Sequence, residues 1–284
     1  MKISVITVVL NDVEGLKKTA QSVISQKGDD YEYVVLDGES TDGSWEYIRS
    51  LDFEGVKKRA KDTGIYNAMN HAVQLAKGDY VIFLNAGDTF FDNEVLMKAA
   101  GIIGESDLYV GHTKEIEKRI VNGMAPNPLT LDFLMKTSIY HQSTFIRRKL
   151  LLEHPYNEQH MVVSDWEFFF ERWLNGSTYE MLDFFVSNYY LGGFSYVHKD
   201  LIAIERREFI ESILPKRIVD GSYLGVGNPG LGNNPQYNSM KVYEERNYLL
   251  KKRKKHNKII RILIAVILFL LTTNVVLLII VQTS

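Results

Sequence analysis

The stretch Asp62-Thr-Gly-Ile-Tyr-Asn-Ala-Met-Asn70, His71-Ala-Val-Gln-Leu-Ala-Lys-Gly-Asp79, Tyr80-Val-Ile-Phe-Leu-Asn-Ala-Gly-Asp88 decides how this chain folds. Its first part places Ile65, Ala68, Met69, Ala72, Val73 and Ala76 at helical spacing, and Lys77-Gly78 supplies the stop. Residues 80–84 are apolar without alternation and too few for a helix, which suits a parallel strand covered on both faces. Asn85, Gly87 and Asp88 then fall at the carboxyl end of that strand, where open α/β sheets place their ligands. Small residues let a ligand approach the backbone, and the oxygen-bearing side chains suit a metal-held diphosphate; taken alone, Asn-Ala-Gly-Asp also reads as a simple turn.

Working outward, residues 3–10 form a β-branched, apolar run that exits at Asn11-Asp12, and residues 14–26 carry Leu16, Ala20, Val23 and Ile24 at helical spacing. A second strand at 31–36 runs into Asp37-Gly-Glu-Ser-Thr-Asp-Gly43, a turn in which Asp42 or Thr41 is placed to cap a helix at 44–51. Strand, helix, strand, helix predicts a mostly parallel sheet wound in right-handed units and flanked by helices. Further strands are expected at 56–60, 107–112, 141–146 and 184–191, and further helices at 93–104, 149–152 and 201–218. Another helix is expected at 164–174, where Ser164 and Glu167 have the spacing of a capping box. Residues 225–238, with four glycines and two prolines, read as a loop or linker.

The chain has 284 residues, enough for one large domain or one domain with an appendage, and 45% hydrophobic with 24% charged residues is ordinary globular composition. It has no cysteine, which excludes a disulfide frame, a thiolate metal site and a cysteine nucleophile. The net charge of −2 hides an asymmetry: residues 241–261 hold nine Lys/Arg against two Glu, so the remainder is −9. A uniformly basic surface for nucleic acid is therefore absent. Residues 262–281 carry no charge over 20 positions, the length of one hydrocarbon core, and the basic run Lys251-Lys-Arg-Lys-Lys255 lies just before them. The expected organisation is a catalytic domain at 1–220, a linker and basic juxtamembrane helix at 221–258, and a transmembrane helix at 259–281. The positive-inside rule then puts the bulk of the chain on the cytoplasmic side of a cell membrane, anchored by a single pass.

The ordered motifs Thr7-Val-Val-Leu-Asn11, Asp37-Gly-Glu-Ser-Thr-Asp42, Gly64 with Asn70, Asn85-Ala-Gly-Asp88, His141-Gln142 and Ser164-Asp165 resemble the family 2 inverting glycosyltransferases of GT-A fold. The likeness is to the subgroup typified by colanic-acid-type polysaccharide biosynthesis enzymes, and it covers roughly residues 1–200. It implies a nucleotide-sugar donor bound along the carboxyl ends of the first strands, with Thr7, Asn11 and Asp37 meeting base and ribose. Asp62 is implied as a second nucleotide contact, against a reading as helix cap, and Asn70 and Asn85 join the same donor site. Asn85 to Asp88 stands where the family has its Asp-x-Asp metal motif, but only Asp88 keeps a carboxylate. A divalent cation, Mg²⁺ or Mn²⁺, is implied at Asp88, its shell completed by water and phosphate.

The family's catalytic base corresponds to Asp165, at the start of a late helix where the anion is stabilised. Glu167 is its nearest competitor. His141 is implied as a pocket residue touching phosphate or sugar, or else as a histidine satisfied inside the fold. His198 is a candidate for reaching the diphosphate, and Trp166 belongs to an aromatic run that is mostly core, with Trp166 itself a candidate stacking face for a sugar. The implied function is transfer of a sugar from the nucleotide to a hydroxyl of a glycan or lipid-linked acceptor in surface polysaccharide biosynthesis. The alternative is a non-catalytic nucleotide-binding or assembly subunit, motivated by the reduced metal motif; a nucleotidyltransferase is disfavoured because no glycine-rich phosphate loop opens the chain. A homo-oligomer or polysaccharide-assembly partners are compatible with either, and the apolar segment has no Gly-x-x-x-Gly pair.

Overall fold

A computed structural model describes residues 2–115, 125–190 and 198–215. The chain divides into two units, Met1–Ile213 and Leu214–Ser284, and every element below lies in the first. The expected linker at 221–258 and transmembrane helix at 259–281 lie outside the described residues. Among the described residues no helix is long and apolar enough to cross a membrane.

The strands are β1 (Ile3–Val9), β2 (Tyr31–Asp37), β3 (Gly55–Arg59), β4 (Tyr80–Phe83), β5 (Thr89–Phe90), β6 (Leu108–Glu115), β7 (Thr144–Arg147) and β8 (Tyr179–Tyr189). The helices are α1 (Val13–Ile24), α2 (Ser44–Ser50), α3 (Ile65–Leu75), α4 (Val95–Ala100), α5 (Leu131–Lys136), α6 (Arg148–Glu153), α7 (Ser164–Leu174) and α8 (Lys199–Ile213). One sheet runs in the order β3-β2-β1-β4-β7-β6-β8-β5. Its first half, β3-β2-β1-β4, is parallel, with Ile3 opposite Tyr31 on one side and Tyr80 on the other. Every residue of β1 is buried, as a strand covered on both faces requires.

The second half departs from the expected mostly parallel sheet. β7 is antiparallel to both β4 and β6, and β5 is antiparallel to β8, so the sheet is mixed. This matters for function, because an antiparallel β7 begins where β4 ends. The 3-10 turn His141–Ser143 that leads into β7 is thereby set beside the Asn85–Asp88 loop.

Two local expectations are corrected. Gly78 does not cap α3, which ends at Leu75 with Ala76 already extended. A side chain at Gly78 would come within 2.5 Å of the Lys2 carbonyl, so the glycine permits close packing on the edge of β1. Nor is there a capping box at α7: Val163 is the N-cap and makes no side-chain bond, while Glu167 turns to Asn157 and His160 instead. Asp42 stands one residue before Gly43, the N-cap of α2, and bonds two helix starts. It accepts from the Ser44 N–H of α2 at 3.1 Å and from the Val13 N–H of α1 at 2.8 Å, tying two helix starts together.

Candidate active site

Parallel pairing aligns the ends of β1, β2 and β4. Asp37 stands opposite Val9, and the Ala86 N–H reaches the Val8 carbonyl, so the Asp37 turn and the Asn85–Asp88 loop flank one end of β1. The Asp37 carboxylate is wholly buried. It accepts from the Ser40 N–H at 3.1 Å and pairs with Arg59 Nε at 3.3 Å. Gly38 beside it lies against Asp62, whose carboxylate oxygen would sit 2.5 Å from any added Cβ, and Asp62 accepts from the Gly64 N–H at 3.0 Å. Asn11, in the left-handed region at φ 53, accepts the Thr41 N–H at 2.8 Å and braces β1 against the same turn. Leu10 next to it leaves its side chain more than half exposed at this edge.

Two residues implied as donor contacts are instead consumed by the fold. Thr7 is fully buried; its hydroxyl donates to the Leu84 carbonyl at 2.6 Å and accepts from the Tyr33 hydroxyl at 3.0 Å, joining β1 to β4. Asn70 donates to the Tyr156 carbonyl at 2.9 Å and to Glu158 at 3.1 Å, and accepts from the Tyr156 N–H at 2.9 Å. Its amide anchors the segment 154–163 on α3. With Asn67 donating to Glu158 at 2.9 Å, this segment forms a strap pinned along one helix face.

The loop after β4 is organised by Thr19 of α1. Its hydroxyl donates to the Asp88 carbonyl at 2.7 Å and accepts the Gly87 N–H at 3.0 Å. Asp88 itself is 8% exposed, and burial pushes its carboxyl up to about 7 against the pull of His141 and the Tyr190 N–H. Asn85 Oδ1 is buried without a partner. An under-compensated carboxylate and an orphaned amide oxygen on one short loop fit an oxygen-seeking divalent cation. Among the described residues no group of three or more His, Cys, Asp or Glu is gathered to hold a metal, so protein ligands alone are few.

Asp165, in the first turn of α7, receives two side-chain donors. His141 Nδ1 lies 2.7 Å from Oδ2, and the Tyr66 hydroxyl of α3 donates to Oδ1 at 2.9 Å. Burial alone would raise its pKa, but these donors and the charge of His141 outweigh it and hold the carboxyl below the usual range. An ionised acceptor makes Nδ1 the donor. Burial likewise opposes the charged imidazole, yet Asp165 and Asp88 together lift His141 above its ordinary value. His141 therefore feels both carboxylates, which brings Asp88 and Asp165 into one place. Its Nε2 is buried without a partner.

Of the remaining candidates, Trp166 and Glu167 are held inside the fold, and His198 stands at the start of α8. Trp166 is 1% exposed, donates to the Leu134 carbonyl at 2.6 Å and packs on Phe170 and Phe209, so it presents no face to a sugar. Glu167 is buried among His160 and Asn157. The His198 carbonyl accepts the Leu201 N–H and starts α8. Tyr66, Thr19 and Tyr156 were missed from the sequence. A tyrosine two residues after Gly64 reads as part of a helical stripe, and nothing local marks it as a partner for a residue 99 positions away.

Residues 4–162 match the profile of the family described as Glycosyl transferase family 2. The chain is 34% identical over 174 residues to the PGL/p-HBAD biosynthesis glycosyltransferase of Mycobacterium bovis, covering 58% of this chain and 67% of that protein. It is 30% identical over 128 residues to the poly(ribitol-phosphate) beta-glucosyltransferase of Bacillus spizizenii, covering 42% of this chain and 20% of that protein. Among solved structures it resembles S. aureus TarS 1-349 in complex with UDP-GlcNAc, with TM-score 0.62, 20% identity, and coverage of 78% and 70%. It also resembles the mannosyltransferase PcManGT from Pyrobaculum calidifontis in complex with GDP-Man and Mn2+, with TM-score 0.59, 16% identity, and coverage of 80% and 71%. These two establish the fold, an α/β GT-A-like mixed sheet flanked by helices.

Proposed function

The chain belongs to glycosyl transferase family 2, and from that premise we propose the reaction its site performs. It is a nucleotide-sugar glycosyltransferase of polysaccharide or glycolipid synthesis. In our reading the transfer inverts: Asp165 takes the proton of an acceptor hydroxyl, and the acceptor oxygen bonds the anomeric carbon. The bond from that carbon to the diphosphate oxygen breaks with its electron pair leaving on the nucleoside diphosphate. The observation that carries this reading is the doubly bonded, ionised Asp165 beside the Asp88 loop, joined through His141. Asp37, Asp62 and Asn11, gathered at the ends of β1 and β2, fit the nucleotide end of the donor. Asp88 and Asn85 would hold a Mg²⁺ or Mn²⁺ ion, which supplies charge compensation for the departing diphosphate.

The finer assignments rest on the sequence. Motif order favours the colanic-acid-type subgroup, and the apolar run at 262–281 behind its basic collar favours a membrane-tethered enzyme acting on a lipid-linked or glycan acceptor at the cytoplasmic face. The test is release of nucleoside diphosphate from UDP-glucose, UDP-N-acetylglucosamine and GDP-mannose with Mn²⁺, comparing the full chain with Asp165→Asn and Asp88→Ala. Turnover of one donor, lost in both variants, is expected. Turnover of none, with no binding of UDP or GDP, refutes the proposal.

A further inference from the structure

Asp165 does not stand alone on its helix. Tyr66 reaches it from α3, a different element and 99 positions away, and is only 6% exposed. The Tyr66 ring packs on Tyr156 of the strap at 5.5 Å between centroids, and Tyr156 in turn packs on Phe83 at the end of β4 and Phe168 of α7. The hydroxyl is therefore delivered by a ring seated on Tyr156, which β4 and α7 hold in turn. Burial first, and the Asp165 charge next, raise the Tyr66 pKa, so the hydroxyl keeps its proton and acts only as donor.

We propose that Tyr66 is a positioning residue for the catalytic step. With His141 on the opposite oxygen, its hydroxyl fixes the Asp165 rotamer and keeps the carboxylate ionised, leaving a lone pair for the acceptor hydroxyl. This rests on the reading of Asp165 as the base. A carboxylate held at one oxygen alone keeps a rotation about its χ2 bond, which is broad and nearly two-fold, and the second donor removes it. Among the described residues, the groups that act on Asp165 come from several elements. They are His141 from the turn before β7, Tyr66 from α3, Tyr156 from the strap, and the Trp166 N–H of its own helix, with Asp88 acting on His141 from behind.

Tyr66→Phe removes one oxygen and retains the ring packing. Two measurements test it in the full chain. Aspartate-labelled protein gives the Asp165 carboxyl titration by ¹³C NMR, assigned with Asp165→Asn; the expected change in Tyr66→Phe is a rise of about one pH unit. Donor hydrolysis, with whichever of UDP-glucose, UDP-N-acetylglucosamine and GDP-mannose turns over fastest, is expected to lose about 10-fold in kcat with KM for the donor unchanged. The acid limb of the kcat/KM profile should shift upward with the carboxyl. A merely structural tyrosine would lower the melting temperature and leave the titration in place. An unmoved Asp165 titration overturns the proposal, as does a wild-type Asp165 that titrates above the ordinary carboxylate range. Undiminished turnover in Asp165→Asn would instead overturn the reading of the base.

Discussion

Asn70 separates two accounts of one residue. The family resemblance makes it a donor contact, whereas the structure spends its whole amide on the strap, through two bonds of 2.9 Å to the Tyr156 backbone and one of 3.1 Å to Glu158. Asn70→Ala strands a backbone N–H and a carbonyl, both buried. At about 1–3 kcal/mol for each unsatisfied group, and with partial rescue by water, the expected loss is about 2–4 kcal/mol. That is a large fraction of the ~5–15 kcal/mol a domain of this kind holds. Urea unfolding followed by tryptophan fluorescence should show the midpoint fall with little change in slope. Asn70→Asp keeps the volume and an acceptor for the Tyr156 N–H, but sets a carboxylate against the Tyr156 carbonyl and Glu158, so it should also destabilise. Affinity for UDP and GDP, measured calorimetrically under conditions where the variants remain folded, should change less than about threefold, a shift under 1 kcal/mol. An unchanged unfolding midpoint with nucleotide affinity lost would refute the strap account and restore Asn70 as a ligand contact.

Two further outcomes follow from the buried ionisable groups. Asp88 has its carboxyl raised by burial from 3.8 to about 7, so the folded state holds the proton more tightly than the unfolded chain does. Stability should therefore fall as pH rises from about 4 to 7, by up to about 4 kcal/mol. With a chelator at pH 8, Asp88→Asn should melt higher than the parent and flatten that slope while donor turnover is lost; a variant no more stable than the parent at pH 8 contradicts this. His160 is raised because Glu167, Glu205 and Glu208 outweigh its burial, so its contribution is fully present below the ordinary histidine value of about 6.5 and disappears as pH climbs through the raised one. His160→Gln should cost more stability at pH 6 than at pH 9 in thermal melts, and an equal cost at both would show that no charged pair holds the strap.

Much of the parallel half of the sheet was legible because burial on both faces leaves a plain mark. Residues 80–83 are apolar throughout and 3–9 are apolar but for the small Ser4 and Thr7, and a strand so composed has nowhere to go but the middle of a covered sheet. The antiparallel half was not legible. Thr144–Arg147 reads as a strand in either direction, and its direction is set by hydrogen bonds to β4 and β6 that no local pattern encodes. The Ser164 and Glu167 spacing misled for a related reason. A capping box stabilises an isolated helix start, but here tertiary partners Asn157 and His160 took the glutamate, while Ser164 Oγ is buried without a partner.

The site divides along the same line. Asp37, closing β2, and Asp88, just past the end of β4, stand out in the sequence because a polar residue after a buried run is conspicuous, and the structure sets both turns beside one end of β1. Residues that act through the chemistry of a distant partner were invisible, and Tyr66 and Thr19 are the clearest of these. Thr19 looks like one more small residue on the inner face of α1, yet its single hydroxyl sets the loop that presents Asp88. The dependence also runs between the two groups. Among the described residues Asp88 draws on the Tyr190 N–H, whereas Asp165 is gripped on both oxygens, so the first stays costly to ionise and the second stays ionised. That difference suits the proposed transfer: Asp88 would gain a charge partner when donor and cation arrive, next to an Asp165 already ionised and able to accept a proton.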